Sequence, residues 1–260
     1  NYRGNYRRNM FNTALDLGWH VNAFDFHSIT SYQYLKDYML MDQDYLPQDF
    51  MHLEQRQFQN AFTQEFSIKS REPLSGFWHW AFGAFFSSQW LRTEAPVYFD
   101  SDFTDNIASG IQSSIYNAVY QSMISSMVAQ GMPQAMAEAM AAQAIETAGG
   151  VNMQVALTVP GVYHTPQLNL GIFHESNFAI TPRLTASVGL RYDYTHTKVR
   201  YETSALMSLS AHIMGQSADN LLSSVLDGKG SDSFNQLLPK FSLRYSLDNA
   251  GSNVYAMVSK

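Results

Sequence analysis

The stretch Leu184-Thr185-Ala186-Ser187-Val188-Gly189-Leu190-Arg191-Tyr192-Asp193-Tyr194-Thr195 decides the fold of this chain. Apolar residues occupy every second position, and Thr, Ser, Gly, Arg and Asp stand between them. Because successive side chains of a β-strand point to opposite faces, the alternation gives one apolar and one polar face. Such a strand fits a soluble β-sandwich, where the apolar face packs on a second sheet, or a membrane β-barrel, where it faces lipid.

Connection lengths favour the barrel. The alternation recurs in pairs of strands that we predict as hairpins at roughly 9–38, 58–97, 166–203 and 237–260. The short links are Asn22-Ala23, Ser70 to Gly76, Asn177 to Arg183 and Asp248 to Asn253, and the long ones run roughly from Tyr38 to Gln57, Ala95 to Thr165 and Glu202 to Gln236. Outer-membrane barrels have short turns on one rim and long loops on the other, so we predict an antiparallel transmembrane β-barrel wall of about eight strands.

The link after the fourth strand breaks the alternation. From Phe103 to Ala148 the apolar residues recur at helical spacing, Pro133 is placed to open a second helix, and Gly149-Gly150 is placed to end it. We therefore predict a helical extracellular loop over 103–150 with two helices. A shorter helix is predicted from Ser204 to Leu226 in the next long link. The expected fold class is all-β, with helical insertions in long extracellular loops.

Composition agrees with a membrane wall. Aromatic residues make up 14% and charged residues 15% of the 260 residues, whereas soluble domains average about 25% charged residues. No apolar run reaches the roughly 18 residues that a transmembrane helix needs. The net charge of -6 gives no basic footprint for nucleic acid, and the chain has no cysteine.

Several stretches share motifs with one known family. Thr181 to Asp193 ends in Gly-Leu-Arg-Tyr-Asp, Leu238 to Leu243 begins a strand with Pro-Lys, and Val254 to Lys260 leads into a Ser-Lys segment. Gln64 to Ile68, followed by Trp78 to Phe86, is similar to another hairpin of the same barrels. Together and in this order they resemble the barrel domain of TonB-dependent outer-membrane receptors of Gram-negative bacteria.

The resemblance implies a function and a location. Such receptors have a plugged barrel of about 22 strands in the outer membrane and import a scarce nutrient with energy from TonB. An iron chelate (siderophore) is the expected cargo, with cobalamin or a glycan as alternatives. Because no signal peptide, plug domain or TonB-binding segment is recognised in residues 1–260, we expect a partial barrel, with the plug domain and the TonB contact in a missing N-terminal region. The expected surroundings are outer-membrane lipid.

Enzymatic chemistry has no support in the sequence. No nucleotide-binding glycine pattern, His-Glu-x-x-His or Gly-x-Ser-x-Gly occurs. His164, His174 and His196 lack the spacing of metal ligands. We predict a non-enzyme with no catalytic residue, cofactor or metal site.

Two groups of residues are candidates for functional contacts. Clustered oxygens, phenols and imidazoles in the long links are candidate ligand-binding groups, with an ordinary solvated loop as the alternative. They are Asp42, Asp44, Tyr45, His52, Tyr163 and His164. A Lys or Arg facing lipid at the bilayer midplane costs about 2–4 kcal/mol, so charged residues of the strands are predicted to face the lumen. They are Glu65, Lys69, Arg191, Asp193 and Arg244.

Two other architectures carry different functions. A self-contained eight-stranded outer-membrane barrel would act as a surface binding or adhesion module, and it requires the first and last strands to pair. A soluble secreted β-sandwich requires the apolar rows of the strands to pack on each other.

Overall fold

The computed structural model describes residues 3–248 and 250–260 and consists mainly of long antiparallel strands. The elements are β1 (Asn5–His20), β2 (Phe24–Asp42), β3 (Met51–Ser70), β4 (Trp78–Glu94), β5 (Val97–Phe99), α1 (Ser101–Ala129), α2 (Gln134–Thr147), β6 (Val151–Val159), β7 (Gly161–His164), β8 (Gln167–Ala179), β9 (Leu184–Ile213), β10 (Gln216–Ser246) and β11 (Asn253–Ser259). The predicted all-β class with helical insertions is confirmed. The predicted short link from Asp248 to Asn253 includes Asn249, which lies outside the described residues.

Eight strands form one antiparallel meander in the order β1-β2-β3-β4-β8-β9-β10-β11. Within residues 3–248 and 250–260, β1 pairs only with β2, and β11 pairs only with β10. The sheet is therefore an open wall. A self-contained barrel requires β1 to pair with β11, so the structure gives that alternative no support.

The strand register gives the wall two chemically different faces. Residues paired directly across strands lie on the same side of a sheet, and one row joins Trp19 to Phe26, Ile68 and Phe82 in turn. We call the side that carries this row the apolar face and the opposite side the polar face. Trp19 is 53% exposed and Phe82 is 44% exposed. A β-sandwich would cover these side chains with a second sheet, so the sandwich alternative does not fit the described structure.

The segment predicted as a long link from Glu202 to Gln236, with a helix from Ser204 to Leu226, is instead a hairpin. β9 and β10 have 30 and 31 residues and stay paired up to Ile213 and Gln216. Met214 and Gly215 connect them with φ values of +50° and +81°, which fits a two-residue type I′ turn. The helix prediction was wrong because cross-strand pairing overrides the helical spacing of Leu and Met residues in this segment.

The link between β4 and β8 contains the two predicted helices and three short strands. Helix α1 packs on α2 through Ile124, against which Ala137 and Ala141 are fully buried. Small alanine side chains allow this close approach of the two helices. Strand β6 pairs with the far end of β9, and β5 joins β6 to β3. The helical hairpin is thus mounted on the end of the wall that lies opposite the short turns.

The described helices do not cross a membrane, because neither is both long and apolar enough.

Candidate functional site

The loop between β2 and β3 is organised around the carboxylate of Asp44. This carboxylate accepts hydrogen bonds from the backbone N–H groups of Leu46 at 2.9 Å, Met51 at 3.0 Å and Phe50 at 3.1 Å. Three N–H donors stabilise the charged form, so the hydrogen bonds from Leu46 and Met51 in particular hold the pKa of Asp44 below its usual value. Asp44 therefore shapes the loop and has little capacity left for a ligand.

The neighbouring candidates differ sharply in accessibility. Asp42 ends β2 in direct register with His52, and its Oδ1 accepts the Asp44 N–H at 3.3 Å. Tyr45 is 84% exposed and has a φ of +54°. Because a tyrosine rarely adopts a positive φ, the turn presents this side chain to solvent at a conformational cost. Among the candidates of this loop, Tyr45 is the side chain most available to a ligand.

His52 ties the loop to the start of helix α1. Its Nδ1 atom lies 2.9 Å from the Oδ2 of Asp100, and its ring stacks on Tyr98 with centroids 4.8 Å apart. The Asp49 N–H donates to the Oδ2 of Asp102 at 2.7 Å. Sequence reasoning missed Asp100 and Asp102, because about 50 residues separate them from their partners and no local pattern signals the contact.

Tyr163 and His164 are adjacent in β7 and consequently lie on opposite faces. His164 pairs in register with Arg92 and Arg200 on the apolar face, and its ring centroid lies 5.7 Å from that of Trp90. Tyr163 pairs with Tyr201 on the polar face. No described hydrogen bond or ring contact joins this pair to the loop that contains Asp44, so the six candidates do not form one site.

The residues predicted to face the lumen share one side of the sheet. Glu65 and Asp193 belong to one register row, and Lys69 belongs to the row of Lys240. Alternation places Arg191 next to Asp193 on this polar face, and it places Arg244 on the same face of β10 as Lys240. That this face lines a lumen stays a prediction.

Two ion pairs connect side chains of the polar face. The Nε of Arg191 donates to Asp193 at 2.8 Å, and the Nζ of Lys240 lies 2.8 Å from the Oε2 of Glu175. Near the short turns the same face has a groove of about 650 Å³. Its lining includes His79, Asn177, Lys240, Arg244 and Tyr255. The groove therefore offers cationic, amide and phenol groups to a polar partner.

Polar side chains on the apolar face satisfy one another. The Oγ1 of Thr30 donates to the Oε1 of Gln64 at 2.6 Å, and the Nε2 of Gln64 donates to the Oγ of Ser28 at 3.0 Å. Because these groups are hydrogen-bonded, placing them against lipid costs less free energy than placing unpaired polar groups there. Sequence reasoning missed this cluster because each residue alone contradicts the apolar pattern of its strand.

The three histidines considered as a set take separate partners. Ser176 Oγ lies 3.0 Å from His174 Nε2, and Ser233 Oγ lies 2.8 Å from His196 Nδ1. In the part of the chain that the structure describes, no three His, Asp or Glu side chains come together as metal ligands. The described structure is thus a two-faced wall whose end opposite the short turns carries the helical hairpin and the tip of the β9–β10 hairpin.

Comparison with known proteins gives a family match over the whole chain. The model of the TonB-dependent receptor-like β-barrel family matches residues 1–260. No curated protein matches the chain in sequence.

A solved structure shares the fold. The ferric yersiniabactin uptake receptor FyuA from Yersinia pestis matches with a TM-score of 0.53 and 15% identity, over 97% of this chain and 28% of that chain. An outer-membrane channel from Pseudomonas putida F1 has a TM-score of 0.15 and 8% identity over 89% of this chain and 94% of that one. The membrane pore complex of pneumolysin has a TM-score of 0.13 and 8% identity over 99% of this chain and 45% of that one. Only the first score indicates a common fold.

Proposed function

We infer that this chain, which belongs to the TonB-dependent receptor-like β-barrel family, forms part of the wall of an outer-membrane receptor that imports a nutrient. The family is located in the outer membrane of Gram-negative bacteria, and its members are transporters and not enzymes. The chain spans 28% of the length of FyuA. The family match over residues 1–260 is the observation that carries the inference.

We propose that the cargo is an iron chelate of the siderophore type and that TonB supplies the energy. FyuA is by its name a ferric yersiniabactin uptake receptor, and this chain shares its fold. Cobalamin and glycans are the alternative cargoes. At 15% identity the likeness to FyuA concerns the fold alone, so the choice among cargoes depends on uptake measurements.

The two faces of the wall support the transport role. Charged residues such as Glu65, Lys69 and Arg244 share the polar face, which in a barrel would line the solute pathway. We call the end of the wall opposite the short turns its outer end. The α1–α2 hairpin and the paired ends of β9 and β10 lie there. We propose that Tyr45 and Tyr163 contact the cargo there, because phenol groups combine an apolar ring with a hydrogen-bonding hydroxyl.

Uptake in cells tests this function. A strain lacking the gene is supplied with the radiolabelled iron complexes of siderophores, and accumulation is compared with the complemented strain, with and without TonB. The proposal expects accumulation of at least one ferric siderophore only when both the receptor and TonB are present. Accumulation of labelled cobalamin or glycan, with none of any iron chelate, would overturn the siderophore assignment.

A paired variant tests the tyrosine contacts. Tyr45→Ala should weaken cargo binding to cells by about tenfold, the effect of losing one aromatic contact and one hydrogen bond. Tyr116→Ala is the control, because it removes a tyrosine side chain from helix α1. Tyr116 is 36% exposed, and among the described aromatic side chains its ring stacks only on Tyr120. Equal binding by the two variants would exclude Tyr45 as a contact residue.

A further inference from the structure

We propose that a cationic pocket on the apolar face binds a phosphorylated lipid headgroup of the outer leaflet. The pocket has a volume of about 740 Å³ and lies where β4 and β7 meet β9 and β10. Its lining includes Trp90, His164, Pro166, Lys198, Arg200 and Lys229. The inference depends on the membrane location of the family and is independent of the cargo.

The cations of the pocket belong to the side of the wall that faces lipid. On β9, Leu190, Tyr192, Lys198 and Arg200 occupy alternate positions and hence the same face. Lys229 of β10 pairs directly with Arg200. A solute moving along the polar face does not meet these side chains, so they have no evident part in the solute pathway.

The pocket lies at the height of lipid headgroups. Lys198 comes about 14 residues after the start of β9, which corresponds to a height of about 35 Å above the short turns for a strand tilted by about 40°. The apolar band of such barrels is about 25 Å tall and is flanked by aromatic residues. Tyr192 and Tyr194 precede Lys198 on the same face and fit that aromatic border. Lys198 and Arg200 therefore follow directly above the apolar band.

The charges of the pocket call for an anion. Arg200 and Lys229 stand directly opposite each other, an arrangement that is unfavourable without a counter-charge. No carboxylate lines the pocket, and no ion pair connects Lys198, Arg200 or Lys229 to a described Asp or Glu. The nearest acidic side chains on this face are Glu94, Glu202 and Asp227, which share the register row that follows Arg200 on the side away from the short turns. Glu94 forms an ion pair with Arg92 at 2.6 Å. Two separate strands thus present three cations around a space with no negative charge.

The shape of the site favours a lipid over free phosphate. Trp90 and Pro166 give the pocket an apolar border, and Leu170 and Tyr192 continue the same face toward the short turns. A phosphorylated lipid could place its phosphates among the three cations and its acyl chains along this apolar surface. Inorganic phosphate would use the charges alone and would leave the apolar border without a partner.

The test measures lipid binding to the intact protein. The protein, purified in detergent and freed of lipid, is titrated with diphosphorylated lipid A in mixed micelles, and bound lipid is counted by native mass spectrometry. The variant K198Q/R200Q/K229Q should bind at least about tenfold more weakly, because each Lys or Arg near an anionic headgroup adds to the attraction. The control K69Q/R183Q/R244Q removes the same charge from the polar face and the short turns and should bind like the natural protein.

Two further probes identify the source of the phosphate. Dephosphorylated lipid A should bind more weakly than the diphosphorylated form, and inorganic phosphate at equal concentration should not displace the lipid. Equal binding by K198Q/R200Q/K229Q and the control, equal binding of both lipids, or displacement by inorganic phosphate would each overturn the proposal. If the triple variant does not fold, K198R/K229R, which keeps the charge, should retain binding and K198Q alone should lose part of it. Nutrient uptake does not enter these measurements, so a failed cargo assignment leaves them interpretable.

Discussion

The Nζ atom of Lys240 lies 2.8 Å from the Oε2 atom of Glu175, so one ion pair joins β10 to β8 across the strand between them. Gly189 of β9 pairs in register with both residues and has no side chain to separate them. A Cβ atom at this position would meet the Cβ of Lys240 at 3.5 Å, which is an ordinary contact. Alanine would therefore fit at Gly189.

The polar face has a second glycine that should be much less replaceable. A Cβ atom at Gly83 would overlap the phenyl ring of Phe173, because this ring covers the glycine. We expect Gly83→Ala to lower the free energy of unfolding by about 1–3 kcal/mol, the usual cost of overpacking. The measurement is the urea midpoint of the protein in lipid vesicles. Gly189→Ala is the matched control and should change stability by less than about 0.5 kcal/mol, and equal losses in both variants would contradict the prediction.

The loop around Asp44 should lose its order in acid. The folded pKa of Asp44 is lowered by backbone hydrogen bonds, so its contribution to loop stability is complete above the unfolded pKa of about 3.9. That contribution disappears as the pH falls through the still lower folded pKa. Limited proteolysis over residues 43–50 should therefore be slow at neutral pH and faster at about pH 3. Asp44→Ala should be cut quickly at both pH values.

Asp42 provides the control for this experiment. Its side chain accepts one longer hydrogen bond, from the Asp44 N–H at 3.3 Å. Asp42→Ala should keep slow cleavage at neutral pH. Cleavage of Asp44→Ala no faster than that of Asp42→Ala would show that the loop does not depend on the Asp44 carboxylate.

The α1–α2 hairpin should depend on the small size of Ala141. This side chain is fully buried against Ile124, and a leucine would force the helices apart at a cost of about 1–3 kcal/mol. Hydrogen exchange of the amides in 120–145 should become faster in Ala141→Leu. Ala139→Leu places the same side chain on the exposed side of α2 and should leave exchange unchanged. Similar exchange in the two variants would exclude tight packing at Ala141.

A substitution at Met214 should stabilise the tip of the β9–β10 hairpin. Met214 has a φ of +50°, a conformation that asparagine adopts more readily than methionine. Met214→Asn should stabilise the tip by about 0.5–1 kcal/mol, and Gly215→Val should destabilise it because a β-branched residue resists a positive φ. Hydrogen exchange over 205–224 reports both changes. Met207→Asn, within β9, should give no stabilisation, and a gain of equal size there would contradict the turn argument.

Sequence reasoning predicted the elements whose signals are local. Alternation identified the long strands, and Pro133 with Gly149-Gly150 bounded the helical loop, since helix α2 starts at Gln134 and ends at Thr147. The tip of the β9–β10 hairpin was not predicted because its turn is Met214-Gly215, and not the Asn-Gly that usually marks such turns. The strands beside it lack strict alternation from Ser204 to Phe234, so neither signal was present.

Contacts between distant segments could not be predicted in the same way. The bond from His52 to Asp100 depends on β5 lying beside β3, and that arrangement has no local signature. The cationic pocket likewise combines Trp90 of β4 with Lys229 of β10. Only the register of the intervening strands places these residues together on one face.

The unbroken pairing of β9 and β10 has a mechanical consequence. A flexible loop would absorb a push at its tip, but this ribbon is hydrogen-bonded from Ile213 down to Leu184, a length of about 100 Å. A force applied at Met214 would therefore be carried along the paired strands toward Leu190.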